Sequence, residues 1–260
     1  MQIALHLALP RFSGYNLFIM PPPISFAEYS NRIEVAARLR RGIRLYRLPN
    51  GAPLCWLYGQ GANARSPILA LLAGLHGDEI SGPLMLLGWL ETAPEPLVPP
   101  GCRIWLLPLA NDHGWDAEVR EWHDRDLNRS FLPGKRAASV LSPVMRSWRR
   151  NPPDLFLDFH EDGYDPPDAY IFRYTAEEHD LPQRMASALH LNLVDWTDFG
   201  EWEGCSEIYL RQMSPSGRTG LRVTRCITLE AHGERTLEER MAWNRRALDW
   251  ALGELARLDS

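Results

Sequence analysis

Apolar positions along the chain fall into short runs that alternate with amphipathic stretches. Phe26 to Leu39 carries Phe26, Tyr29, Ile33 and Ala36-Ala37 on one side, which predicts a helix. Ile43 to Leu48 and Leu54 to Tyr58 flank Pro49-Asn50-Gly51, and Asn-Gly between two such runs predicts a hairpin. Ile68 to Gly74 is a run of branched and small apolar residues closed by glycine, the pattern of a buried strand, and Pro83 to Leu90 is the helix after it. Pro-rich residues 94–100 read as a loop and Arg103 to Leu109 as a strand. Ala137 to Arg149 reads as a helix that stops before Asn151-Pro152-Pro153. Leu155 to Phe159 is a short strand running into His160, Ala169 to Arg173 a further strand, and Thr175 to Leu189 a helix. Arg225 to Leu229 is a strand ending at Glu230. In the last helix, Thr236 and Glu239 make a capping box ahead of an apolar stripe through Leu237, Met241, Leu248, Ala251-Leu252, Leu255 and Leu258. Residues 111–135 and 196–220 have no period and are expected to be functional loops.

Strands alternating with helices predict an α/β fold. No internal repeat or linker divides the chain, so residues 26–260 are expected to form a single domain behind an irregular arm, residues 1–25. The arm ends near Pro21-Pro22-Pro23, and Met20 is an alternative start. With 260 residues, 45% hydrophobic and 23% charged, the chain is that of a soluble globular protein with a substantial core. A net charge of −5 with scattered Lys and Arg disfavours a nucleic-acid partner. The densest basic segment, Arg38 to Arg44, reads as a solvated helix end. No stretch approaches the roughly 20 apolar residues of a membrane span. The 4 cysteines form no CxxC pair, and three lie in apolar runs, which fits a reducing cytosol. The apolar N-terminus lacks the basic residues that open a secretory signal. Nothing in the pattern selects an oligomeric state.

The chemistry gathers at strand ends. His76 and Glu79, in Leu75-His-Gly-Asp-Glu79, lie three residues apart across a strand-to-helix turn, where open α/β sheets place ligand sites. His160 follows another apolar run, and two His with one carboxylate make a zinc set that leaves a fourth position for water, acidified toward a pKa of about 7. Glu230, in Ile227-Thr-Leu-Glu230, is an acid suited to take a proton from that water and return it to a leaving amine. Asn128-Arg129, in Asp126-Leu-Asn-Arg129, offers a planar donor fork for a substrate carboxylate. Arg120 is a second cation for an oxyanion.

Each residue has a plainer reading. A lone strand-end His is more often structural, Arg129 can simply pair with Asp126, and Arg120 can form a surface ion pair. His113, His123 and His232 are alternative ligands, the first two expected to line the cleft and the third not. Asp78 reads as a partner orienting a ligand or as a helix N-cap. Trp115, Trp122, Trp196 and Trp202 suggest an aromatic wall beside the site, whereas Trp243 and Trp250 suggest packing.

His76-Gly-Asp-Glu79, Asp126-Leu-Asn-Arg129, Asp158-Phe-His160 and Thr228-Leu-Glu230 occur in an order that resembles the zinc carboxypeptidase family. The similarity is closest to the short bacterial branch that includes murein peptide amidase, and more distant to succinylglutamate desuccinylase and aspartoacylase. It spans residues 40–255, with residue-by-residue agreement confined to the motifs. The resemblance implies a three-layer α/β fold whose mixed, mostly parallel twisted sheet is flanked by helices, one zinc per chain, and amide hydrolysis. It implies His76, Glu79 and His160 as ligands, Glu230 as general base and acid, Asn128 and Arg129 on the substrate carboxylate, and Arg120 near the oxyanion. A substrate-capping tyrosine is expected upstream of the acid, and Tyr209 is nearest by spacing.

There are departures. The family's short members carry Asn-Pro-Asp-Gly where this chain has Asn111-Asp112-His113-Gly114. Their Asn-Arg-Asn-Phe-Pro is here Asn128-Arg129-Ser130-Phe131-Leu132-Pro133. These touch substrate shape more than the metal.

Three functions follow. The first is a zinc carboxypeptidase or amidase on a small peptide, muropeptides included. The second is a deacylase of N-acylated amino acids, set behind it because that branch carries an extra C-terminal β domain and about 30 residues follow Glu230 here. The third is a non-enzymatic metal-binding protein, disfavoured by Glu230 and the Asn128-Arg129 pair.

Overall fold

A computed structural model of the chain describes residues 22–131, 138–163, 168–173, 180–195 and 225–258. The first helix, α1 (Phe26–Leu39), is capped by Ser25, whose Oγ accepts the Glu28 N–H at 3.2 Å, and Tyr29, Ile33, Ala36 and Ala37 are on its buried side. β1 (Ile43–Arg47) and β2 (Pro53–Tyr58) form the expected antiparallel hairpin. Gly51 sits in its turn at φ +86°, a conformation that favours glycine.

β3 (Ile68–Ala73), β4 (Arg103–Leu107), β5 (Leu155–Asp162), β6 (Tyr170–Arg173), β7 (Asn192–Asp195) and β8 (Cys226–His232) extend this hairpin into an eight-stranded sheet ordered β1-β2-β4-β3-β5-β8-β6-β7. β4, β3, β5 and β8 run parallel, while β2 and β6 flank this centre in antiparallel pairing. β4 and β5 lie on opposite sides of β3, so the winding of the chain reverses there. A crevice opens beyond the carboxyl ends of strands at such a point.

Alternation along the strands sorts the core into two layers. Leu69, Leu71, Leu157, Phe159, Ile227 and Leu229 face one side. That side is covered by α1, α2 (Ser81–Thr92), α5 (Asp180–Leu189) and α6 (Leu237–Leu258). Apolar on nearly all sides, α2 lies between α1 and α6, where such a helix can be buried all round. Ala70, Leu72, Trp105, Phe156 and Cys226 face the other side, beneath α4 (Ser142–Arg150) and a 3-10 turn, Asn128–Phe131. There Trp148 packs against Trp105 at 5.2 Å, Phe156 at 5.4 Å and Phe131 at 5.6 Å between ring centroids. Burying one Leu or Phe side chain stabilises by about 1.5–3 kcal/mol, so these layers fix the strands and the polar strand ends follow.

The fold is thus the three-layer, mixed α/β arrangement expected, with local corrections. β5 continues to Asp162 and β8 to His232, so His160 and Glu230 lie within strands and not past their ends. Residues 111–131 are not one loop but hold α3 (Asp112–Ala117) and the 3-10 turn. Six residues are too few to show a helical period. The helix expected from Ala137 begins at Ser142, after a turn in which Ser142 N–H reaches Ala138 O. β7 was not foreseen in the four residues Asn192–Asp195.

The capping box of α6 is present: Thr236 N–H donates to Glu239 Oε2 at 2.9 Å and Glu239 N–H to Thr236 Oγ1 at 3.3 Å. Trp243 and Trp250 pack against the core as expected. Cys55, Cys102 and Cys226 are buried, and burial pushes the Cys55 thiol up to about 12. Arg40 of the basic segment is spent on the Glu91 and Ala93 carbonyls at 2.8 Å. Among the described residues no helix is long and apolar enough to cross a membrane. Most of the N-terminal arm, the 196–220 loop and Cys205 lie outside the described residues.

Candidate metal centre

β3 ends at Ala73, and Gly74 turns the chain out of the sheet at φ +63°. Its carbonyl accepts the N–H groups of Ala110 at 3.1 Å and Asn111 at 2.9 Å. Asn111 also donates its Nδ2 to the Leu75 carbonyl at 3.2 Å and the Arg120 carbonyl at 3.0 Å, while its Oδ1 caps α3 through the Gly114 N–H at 2.7 Å. Gly77 then passes so close to α3 that a Cβ there would lie 2.0 Å from the Gly114 carbonyl carbon. The turn carrying His76 and Glu79 is therefore moulded against backbone. Asp78 does not cap α2: the cap residue is Ile80, and Asp78 Oδ1 is buried with no hydrogen-bond partner among the described residues. Burial, then the neighbouring Glu79, raises the Asp78 carboxyl above its ordinary value.

His160 follows Phe156 and Asp158 onto the α4 face of β5. Here it meets the β3 turn. Glu79 lies between the two imidazoles, with Oε1 2.5 Å from His76 Nδ1 and Oε2 2.9 Å from His160 Nδ1. The three side chains are almost fully buried, and their ligand atoms all lie within 4.8 Å of one another. Behind each ring stands a carboxylate: Asp126 Oδ1 is 3.2 Å from His76 Nε2, and Asp158 Oδ2 is 3.2 Å from His160 Nε2. Carboxylates in that place fix the tautomer and aim of metal-binding histidines.

Electrostatics agree with the geometry. Burial alone would lower both imidazoles, but Glu79 with Asp126 raises His76, and Asp158 with Glu79 holds His160 well above its usual value. Burial would likewise raise Glu79, yet the two imidazoles hold it far below the carboxylate range. Two rings turned toward one carboxylate form a pocket for positive charge. Two imidazole nitrogens and one carboxylate oxygen suit a borderline cation such as zinc, so the residues fit the ion that the motifs suggest.

Asp126 is also the hub of the next motif. Its Oδ1 accepts the Asn128 N–H at 2.9 Å, and its Oδ2 accepts Arg129 Nε at 3.1 Å. The plainer reading of Arg129 as a partner of Asp126 is thus met, with the side chain still 41% exposed beside the centre. Arg120 Nη1 lies 3.3 Å from Glu79 Oε1 and its Nε 3.7 Å from Asp126 Oδ2. Glu230 is buried on β8 and is paired in register with His160 on the adjoining parallel strand. Paired positions on neighbouring strands, about 4.8 Å apart, share a face.

Other candidates go elsewhere. Trp115 is buried in the opposite layer against Tyr29, with Nε1 donating to Ile24 O, so it forms no wall at the site. Trp122 donates to Asp112 Oδ1 at 2.9 Å. His113 and His123 lie tilted at 44° with ring centroids 4.2 Å apart, outside the His76–Glu79–His160 cluster. His232 pairs in register with Asp162, and its Nδ1 accepts the Glu234 N–H at 3.3 Å. Tyr209, Trp196 and Trp202 lie outside the described residues. Sequence reasoning did not place Asp126 and Asp158 behind the histidine rings, or Asn111 beneath the turn. The available signals were Asp158 two residues before His160, hence on one strand face, and Asn111 as a polar cap at a strand end.

A family model described as the succinylglutamate desuccinylase/aspartoacylase catalytic domain matches residues 65–219, more than half of the chain. No curated protein matches the chain. Among solved structures, a metallo-carboxypeptidase from Burkholderia cenocepacia is similar at 16% identity and a TM-score of 0.66, covering 91% of this chain and 70% of that one. A metallo-carboxypeptidase from Pseudomonas aeruginosa, in complex with (2-guanidinoethylmercapto)succinic acid, is 18% identical with a TM-score of 0.63 over 91% of this chain and 70% of that one. The carboxypeptidase A of Helicoverpa armigera is 14% identical with a TM-score of 0.64 over 90% and 73%. At these identities the likeness is one of fold, a carboxypeptidase-like α/β sheet.

Proposed function

Because the chain belongs to the succinylglutamate desuccinylase/aspartoacylase catalytic-domain family, we propose that it is a zinc-dependent hydrolase of an amide bond in a small substrate bearing a free carboxylate. The observation that carries this reading is the buried His76–Glu79–His160 cluster, each imidazole backed by a carboxylate. These three side chains hold one zinc ion per chain. When bound, the ion supplies Lewis-acid chemistry, polarising an amide carbonyl and acidifying water. Glu230 takes the proton of the attacking water and returns it to the departing amine. Arg120 opposes the negative charge that grows on the carbonyl oxygen. Asn128 and Arg129 hold the substrate's carboxylate, the guanidinium by a two-pronged contact.

Two substrate classes suit these groups. Short peptides, muropeptides included, come first, since the carboxypeptidase-like sheet and the Asn128-Arg129 pair suit a substrate held by its terminal carboxylate. N-acylated amino acids are the second, favoured by the family match itself. The succinic acid derivative bound by the Pseudomonas protein supports a small acid in either case. Buried Glu230 beside His160 speaks against a protein that only binds metal.

Metal analysis of the purified chain should find about one zinc, and His76→Ala should find none. A metal-free wild type indistinguishable from His76→Ala refutes the reading. Glu230→Gln should keep zinc and lose hydrolysis. A panel of dipeptides, γ-D-glutamyl peptides and N-acyl amino acids then separates the two substrate classes.

A further inference from the structure

β5 sends successive side chains to both layers at the point where the sheet meets α2. His160 faces the candidate centre, and Glu161 faces the opposite layer. There Glu161 Oε1 accepts the backbone N–H of Ser81 at 2.5 Å, and Oε2 is ion-paired with Arg240 of α6. Asn244, one helical turn beyond Arg240, donates Nδ2 to Ser81 Oγ at 2.9 Å. All four side chains are buried. The first N–H groups of a helix need acceptors from outside the helix. The cap residue of α2, Ile80, offers no side-chain bond, so Glu161 is the acceptor. Ser81 lies two residues after Glu79. A short chain of bonds thus runs from His160 through Glu161 and Ser81 to Glu79, behind the sheet.

We propose that Glu161 and Arg240 are positioning residues for the metal centre. By gripping the N-terminus of α2, they hold the Glu79 carboxylate at its 2.9 Å separation from His160. A buried ion pair is weak evidence for stability, because apolar residues of similar volume often serve as well or better. The pair's position explains what stability does not: it ties the strand that carries one ligand to the helix that follows another. Asn244 grips the same serine from the next turn of α6, so the C-terminal helix is coupled to the centre through two contacts. The inference rests on the zinc reading of His76, Glu79 and His160.

The test is zinc affinity of the metal-stripped full chain, titrated against a chromophoric chelator, alongside its melting temperature. Glu161→Leu/Arg240→Met removes both charges together, so it should melt near wild type yet bind zinc about 10–100-fold more weakly. Glu161→Gln keeps one oxygen for Ser81 N–H, so its affinity should fall between those of wild type and the double variant. A merely structural pair would lower the melting temperature and leave the affinity of the folded protein unchanged. Affinity within about twofold of wild type in whichever variants fold overturns the proposal. A wild type that binds no zinc overturns the metal reading first, and the two failures are distinct.

Discussion

β3 and β5 lie side by side and both lead to the candidate centre, but they deliver their candidate ligands in opposite ways. β3 stops at Ala73, and His76 and Glu79 come from a turn outside the ladder. That turn is held from outside: by Asn111 on the Leu75 carbonyl, by the Arg120 carbonyl on Gly77 N–H, and by the close passage of Gly114. β5 instead runs on through His160 to Asp162, paired residue by residue with β8, so its ligand is aimed by register and Glu230 arrives beside it. A ligand on a turn depends on small residues and backbone approach. One inside a strand depends on its neighbours in the sheet.

The largest effect should come from filling the gap beneath the turn. In Gly77→Ala the new Cβ falls 2.0 Å from the Gly114 carbonyl carbon, which is backbone and cannot yield. Zinc binding and hydrolysis should fall to background, with a loss of stability of about 1–3 kcal/mol from overpacking. On the strand arm, Phe159→Leu changes a buried side chain next to His160 and should leave zinc affinity near wild type. Full zinc affinity in Gly77→Ala, measured by chelator competition, breaks the contrast.

Next come the carboxylates behind the rings. Asp126→Asn and Asp158→Asn should each weaken zinc about 10–100-fold, the usual consequence of removing a partner that orients a ligand. Asp158 has no exposure, whereas the Asp126 side chain keeps 14% and shares its charge with Arg120 and Arg129. The Asp158 change should therefore be the larger. If Asp158→Asn binds zinc like wild type, register alone aims His160, and the strand arm is more self-sufficient than its geometry suggests.

The same contrast explains what was legible in the sequence. β3 announced itself as an apolar run closed by glycine, and the motif beyond it named two candidate ligands. The end of β5 was misjudged at Phe159 because His160, Glu161 and Asp162 are polar. Yet they stay in the sheet, since each has a partner chosen by position: Asp158 and Glu79 for His160, Arg240 and Ser81 for Glu161, and Tyr170 for Asp162, whose Oδ2 accepts the tyrosine hydroxyl at 2.5 Å. Hydrophobic periodicity cannot see such pairings. It also missed α3, which rests on the Asn111 cap and a close glycine, and β7, a four-residue strand. The family match falls on the branch ranked second from sequence.

The smallest effect lies furthest from the centre on the strand arm's support, α6. Thr236 donates its hydroxyl and N–H to Glu239, one residue before Arg240, and these bonds hold the exposed Glu239 carboxyl below its usual 4.5. A carboxyl depressed in the folded state contributes stability above its unfolded pKa and loses it as pH falls through the folded value. Glu239→Ala should therefore lower the melting temperature slightly at pH 7, and the difference from wild type should fade as pH drops below 4.5. Zinc affinity at pH 7 should not change, because the first turn of α6 is also fixed by Arg240 on Glu161 and Asn244 on Ser81. A drop in affinity on removing this outer cap would show that the whole first turn, and not the buried contacts alone, sets the distance between the two arms.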